Sequence, residues 1–261
     1  MYRMQHLPDP RLQKPSTYNR DAAISAITDL YESLTTLLYV EPTDILYPPP
    51  GGWRHISQQN EVFASLNKSD EVIELLRHLP YLDSRHNQWY IRPWSTACDY
   101  VNKDPRNYLP VVPDEFQFPP WVINLTDSGR YGKSLMFDTS DGTVTEYAPD
   151  GFTYEPDYAE DDPRYWRVEC ESETEPLVDH LEFFKQRFRN LNWTPHVQKV
   201  GSWPRIYEWY EEPTRSCGDD KGKKIRDIYL EHGWPDSFDR AACQQALEKS
   251  YYDDLKNRRK R

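Results

Sequence analysis

The stretch WVINLTDSGRYGKSLMFDTSDGTVTEY, residues 121–147, decides the fold of this 261-residue chain. Trp121 to Leu125 is a short apolar run of strand type, and Gly129 and Gly132 then punctuate a turn. From Ser134 to Tyr147 the pattern is a hairpin. Leu135 and Phe137 alternate with Met136 on the first arm, and Val144 and Tyr147 lie on the second. Asp141-Gly142 supplies the turn, because Asp-Gly tolerates the positive φ that tight hairpins need.

Helical patterns flank this centre. After it, Leu177, Leu181, Phe184, Phe188 and Leu191 recur at helical spacing behind Pro176, and Arg187 and Arg189 suit the negative end of that helix. Before it, Ser69 is a predicted N-cap for a helix ending at Pro80, with Asp70 and Glu71 in the first turn and Val72, Leu75, Leu76 and Leu79 as its apolar stripe. Ala23, Ile27, Leu30, Leu34, Leu37 and Leu38 predict a helix over 21–40, capped by Asn19. Residues 57–66 predict a short helix capped by Ser57, and 88–91 a short strand. Pro48 to Pro50, followed by Gly51 and Gly52, form a connector that Trp53 and Ile56 anchor. Residues 102–120 carry five prolines and read as a loop.

The expected fold is α+β, a largely antiparallel central sheet flanked by helices, with a C-terminal helical extension. Its expected divisions are a loose lead-in over 1–19, the α+β domain over 20–193, and an aromatic-rich extension over 194–261 containing helices before Gly233 and from about Phe238 to Leu255.

Composition narrows the function. The 19 Tyr, 9 Trp and 9 Phe supply a core despite few aliphatics. A net charge of −11 argues against nucleic-acid partners and anionic membranes, and leaves a protein, basic in character, as the expected partner. There is no apolar leader and no run long enough to span a bilayer. Cys98, Cys170, Cys217 and Cys243 form no CxxC pair. Together these predict reduced thiols in the cytoplasm, with KNRRKR at the end of the chain as a candidate nuclear import signal. Oligomeric state is not encoded in any pattern here.

Motifs for catalysis are missing. The histidines are dispersed without zinc-ligand spacing, and His180 and Glu182 lie two apart on a helix, facing different ways. Asp138-Thr-Ser-Asp-Gly resembles part of a calcium loop but sits between strands. SGRYGKS at 128–134 is one residue short of a phosphate loop, and there is no GxSxG. No cofactor is expected. The richest segment is 155–175, with two bases among nine acids. Tyr158, Asp161, Asp162, Tyr165, Trp166, Glu171 and Glu173 are its candidate binding residues, carboxylates steering a basic partner and rings anchoring it. The competing reading is a small-molecule or carbohydrate site, or a hydrolase, with a pocket lined by Trp94, Asp99, Trp121 and Trp166 and two carboxylates about 5–10 Å apart.

The middle of the chain resembles the SUKH superfamily, the fold of the fungal Smi/Knr-type cell-wall regulator and of many bacterial immunity proteins. The resemblance rests on Trp121-Val-Ile-Asn-Leu, Gly129, Gly132, the Leu135–Asp138 "L-x-F-D" run with Gly142-Thr-Val, and "L-x-x-F" from Leu181 to Phe184 in the closing helix. Val72 to Leu79 with Pro80-Tyr81 stands where the family has its "LP-x-x-Y" region, but departs from that pattern. The runs YPPPGGW, DEVIELLRHLPY and EHGWP are also similar to a group of uncharacterised fungal proteins. The resemblance implies a binding protein without catalytic residues.

Overall fold

The structure is a computed structural model, and it describes residues 10, 16–112, 116–129, 131–148, 158–159, 161–170, 174–196, 205–208 and 220–259. In chain order these form α1 (Arg20–Thr35), β1 (Ile45–Leu46), α2 (Glu61–Ala64), α3 (Asp70–His78), β2 (Tyr81–Leu82), β3 (Tyr90–Arg92), β4 (Ser95–Ala97), β5 (Val122–Asn124) and β6 (Thr126–Asp127). There follow β7 (Ser134–Asp138), β8 (Thr143–Tyr147), β9 (Glu175–Pro176), α4 (Leu177–Arg189), β10 (Trp193–His196), β11 (Arg205–Glu208), α5 (Asp220–Glu231) and α6 (Arg240–Arg259).

The fold is α+β with antiparallel pairing throughout the described strands. The described strands form a four-stranded sheet in the order β5-β7-β8-β9, which holds the hairpin, a three-stranded one in the order β3-β4-β6, and two ribbons. Within the larger sheet the hairpin has the predicted register, Phe137 opposite Val144 and Asp138 opposite Thr143. Gly142 closes its turn at φ +78°, a conformation that only glycine adopts without strain.

Strand alternation sorts the hairpin between two cores. Ile123, Leu135, Phe137 and Val144 enter the larger one, which α1, α3 and α4 also line. Val122, Met136 and Tyr147 point the other way, into a smaller core with Phe116, Trp121, Trp166 and Cys170. Every residue of β7 is therefore buried. Such a strand has no solvent face and holds the sheet in the middle of the molecule.

The helices follow local rules. Asn19 accepts from Ala22 N at 2.9 Å and caps α1, and Ser69 accepts from Val72 N at 3.3 Å and caps α3. Helix α1 stops at Thr35, short of the predicted 40. The Thr35 and Thr36 hydroxyls donate back to the Glu32 and Ser33 carbonyls, and Arg240 donates to the carbonyls of Thr35 and Leu37. The end of α1 is thus terminated by α6, with Tyr229 of α5 accepting from Leu38 N at 3.1 Å. Ile225, Tyr229, Cys243 and Leu247 belong to the larger core. The helix expected over 57–66 shrinks to α2, because Asn60, not Ser57, caps it through Val62 N at 3.0 Å. The proline connector is anchored as expected, with Trp53 Nε1 donating to Leu79 O at 2.9 Å and Ile56 fully buried. No helix among the described residues is long and apolar enough to cross a membrane.

Candidate functional site

The acidic segment is partly described, and its chemistry differs from that of an open charged face. Asp161 is exposed. Asp162 accepts from Arg164 Nη2 at 2.7 Å and Nε at 3.0 Å, and this pairing holds its carboxyl below the usual range. The Arg164 guanidinium in turn lies 4.6 Å from the centre of the Tyr158 ring. Tyr165 is half-buried. Trp166, expected as a surface anchor, is only 3% exposed and packs on Phe118 in the smaller core at 5.6 Å between ring centres. Its area is already committed to the fold. Glu171 and Glu173 lie outside the described residues.

Arg167 explains the burial of its neighbour. It is 4% exposed, and its Nη2 reaches Asp138 at 3.0 Å, Asp141 at 2.9 Å and the Thr143 hydroxyl at 3.0 Å. Burial, then the like charge of Asp141, push the Asp138 carboxyl up to about 6, against the opposing pull of Arg167. One guanidinium thus clamps the segment to both arms of the hairpin, and Trp166 seals the lower face of the sheet beside it. The acids of 155–175 dominate its count and suggest a surface, but Arg167 and Trp166 bind it to the sheet, with Cys170 in the smaller core and Glu175 in β9.

The four residues expected to line a second type of site do not converge. Trp94 is 60% exposed on the two-residue turn between β3 and β4, at φ +65°, its ring 6.1 Å from that of Tyr131. Asp99 is fully buried, and its carboxylate accepts from Ser84 N and Oγ, Val101 N, and Asn102 N and Nδ2. It is a structural carboxylate that organises its own loop. Trp121 and Trp166 sit in the smaller core.

A cavity of about 540 Å³ lies elsewhere, between the α2–α3 loop, the Pro105–Leu109 turn, residues 116–118 and the sheet face formed by Val122, Asn124 and Met136. Its frame is built from local hydrogen bonds. Asn67, at φ +52°, turns the chain out of α2. Lys68 Nζ donates to Pro119 O at 3.1 Å and Ser69 N to Pro120 O at 2.9 Å, tying the loop to the 116–120 segment. Asp104 caps the Pro105 turn by accepting from Arg106 N at 2.9 Å. Tyr108 accepts from Asp99 N at 3.0 Å through its hydroxyl, and its carbonyl accepts from Asn124 Nδ2 at 3.0 Å. Tyr100 donates to Asn124 O at 2.7 Å.

These bonds engage Asn124 and the backbone of the wall. The space is lined by apolar side chains, chiefly Leu66, Tyr108, Phe116, Phe118, Val122 and Met136, and by polar ones, Ser65, Asn67 and Gln117, with one cation, Lys68. Burial lowers the Lys68 ammonium to about 8. No carboxylate, histidine or cysteine is among the described lining residues, so these residues do not supply the pair of acids a hydrolase uses. The sequence carried one signal for this cavity. The proline-rich 102–120 segment holds Tyr108, Leu109, Val111, Val112, Phe116 and Phe118, too many large apolar side chains for a solvated loop.

The remaining charge cluster is internally balanced. Glu146 pairs with Arg92 and with Lys133 Nζ at 2.9 Å, and His180 Nδ1 contacts Glu175 at 2.5 Å. Burial would raise the Glu146 carboxyl, but Arg92 and Lys133 bring it below its usual range. Among the described residues no group of His, Cys, Asp and Glu is placed to hold a metal ion. Compared with family models, curated proteins and solved structures, the chain matches none.

Proposed function

We propose that this is a non-catalytic binding protein whose principal site is the cavity between Leu66, Tyr108, Phe118 and Met136. The observation that carries the reading is the cavity itself. About 540 Å³ of aromatic-walled space falls within the roughly 300–1,000 Å³ typical of small-molecule sites. Among its described residues the lining offers aromatic and aliphatic contact, with no acid–base pair and no activated nucleophile. The resemblance of the hairpin and closing helix to the SUKH superfamily accords with a binding role. Cys98, Cys170 and Cys243 are buried free thiols, which supports a reducing compartment such as the cytoplasm.

The test is calorimetric titration with 1-decanol, a neutral apolar probe. Saturable one-site binding is expected, and Val112→Trp, which places an indole at the rim of the cavity, is expected to abolish it while leaving the circular dichroism spectrum unchanged. Binding indifferent to Val112→Trp, or no binding of either decanol or its carboxylate counterpart decanoate, contradicts the reading.

A second reading, a basic protein partner on the acidic segment, has one observation in its favour. Arg167 and Trp166 fix that segment on the hairpin, so the exposed Asp161 and half-buried Tyr165 are presented on a pre-ordered surface. Reversing the charges of Asp161, Asp162, Glu171 and Glu173 is expected to release such a partner in a pull-down; retention of every partner removes this reading.

A further inference from the structure

We infer that the ligand of the cavity is an apolar monocarboxylate, its hydrocarbon body against the aromatic wall and its carboxylate on the Lys68 ammonium. The inference rests on the reading of the cavity as a small-molecule site and specifies which molecules it takes.

The argument is one of matching groups. Leu66, Tyr108, Phe116, Phe118 and Met136 form the apolar part of the wall and take an apolar body, with the neutral polar Ser65, Asn67 and Gln117 beside them. Asn124 has its amide engaged with Tyr108 O and Ser134 Oγ, and its Oδ1 accepts from Thr126 N, so it has little left to offer a ligand. Lys68 differs. An ammonium carries three donors, and Pro119 O takes one of them at 3.1 Å. A neutral apolar occupant would strip water from the remaining donors without replacing it, and a cationic one would add repulsion. An anion satisfies both the charge and the donors. Lys68 is the only basic residue among the described lining, which suits a singly charged carboxylate better than a phosphate dianion.

Three ten-carbon probes separate the possibilities by calorimetry on the full chain at pH 7: decanoate, 1-decanol and decylammonium. Decanoate is expected to bind about ten- to a hundred-fold more tightly than decanol, the range of a charge-assisted hydrogen bond, and decylammonium more weakly than either. Lys68→Met is expected to bring decanoate down to the level of decanol while decanol changes by no more than about two-fold. Lys68→Arg, which keeps the charge, is expected to retain the preference and guards against a merely structural effect of the methionine. If decanol binds as well as decanoate, or Lys68→Met leaves decanoate unaffected, the carboxylate inference is overturned and the cavity reading stands. If neither decanol nor decanoate binds, the cavity reading itself fails. If decanoate binds only after Asp114→Asn with Glu115→Gln, the acids next to the lining Phe116, then Lys68 serves an internal carboxylate and the inference is likewise overturned.

Discussion

Arg167 and Asp138 form an ion pair at 3.0 Å with side chains only 4% and 1% exposed, joining the acidic segment to the central hairpin. A buried pair of this kind contributes little against an apolar replacement of both partners, but breaking it strands a charge. Arg167 is therefore expected to be structural in a way its neighbours Asp161 and Arg164 are not.

Arg167→Met should cost about 3 kcal/mol of unfolding free energy at pH 7, measured by urea titration. The loss should be smaller at pH 5, below the raised pKa of about 6, where Asp138 is already largely protonated and removing Arg167 strands less charge. Arg164→Met, which breaks a more exposed pair with Asp162, should cost no more than about 1 kcal/mol. Equal losses at the two positions would mean that the clamp is not buried as described.

The pH dependence of stability carries a second prediction. Asp138 has a folded pKa raised above its unfolded value, so the stability it contributes is fully present below about pH 4 and is lost as the pH rises through about 6. Asp138→Asn removes this titration. The unfolding free energy of the native protein minus that of Asp138→Asn should fall by roughly 2 kcal/mol between pH 4 and pH 7. A flat or rising difference over that window would contradict the raised pKa.

Gly142 tests the hairpin register. A Cβ at this position would lie 3.3 Å from the Tyr18 Cα, whereas a Cβ at Gly51, also at positive φ, meets nothing within 4 Å. Both glycines to valine should pay the backbone cost, about 1–2 kcal/mol. Gly142→Val should lose about a further 1 kcal/mol by pushing residues 16–18 off the turn, where Ser16 and Thr17 donate to the Ser140 and Asp141 carbonyls. Indistinguishable melting of the two variants would mean that the lead-in does not rest on the hairpin.

The hairpin was legible because period-two alternation and Asp-Gly are local signals, and the caps Asn19 and Ser69 because a cap acts within three residues. The second core was not. Val122, Met136 and Tyr147 announce a face, but nothing in the sequence says that Trp166, embedded among acids, will cover it. The turn at Trp94 was invisible for a related reason: its φ of +65° is a conformation for which sequence rules expect glycine or asparagine. The cavity was hidden most deeply. Its described lining comes from residues 65–68, 100, 105, 108–110, 112, 116–118, 122–124 and 136, each unremarkable alone, and the meaning of Lys68 depends on a carbonyl at Pro119 far along the chain.

The chain has three methionines, Met1, Met4 and Met136, and among the described residues Met136 lines the cavity. Methyl NMR of the ¹³C-methionine-labelled protein during a decanoate titration therefore reads occupancy at Met136 directly. The account predicts a saturable shift of the Met136 methyl resonance, reduced at least ten-fold in apparent affinity by Lys68→Met. A Met136 resonance that does not move, or that moves without saturating, would contradict it.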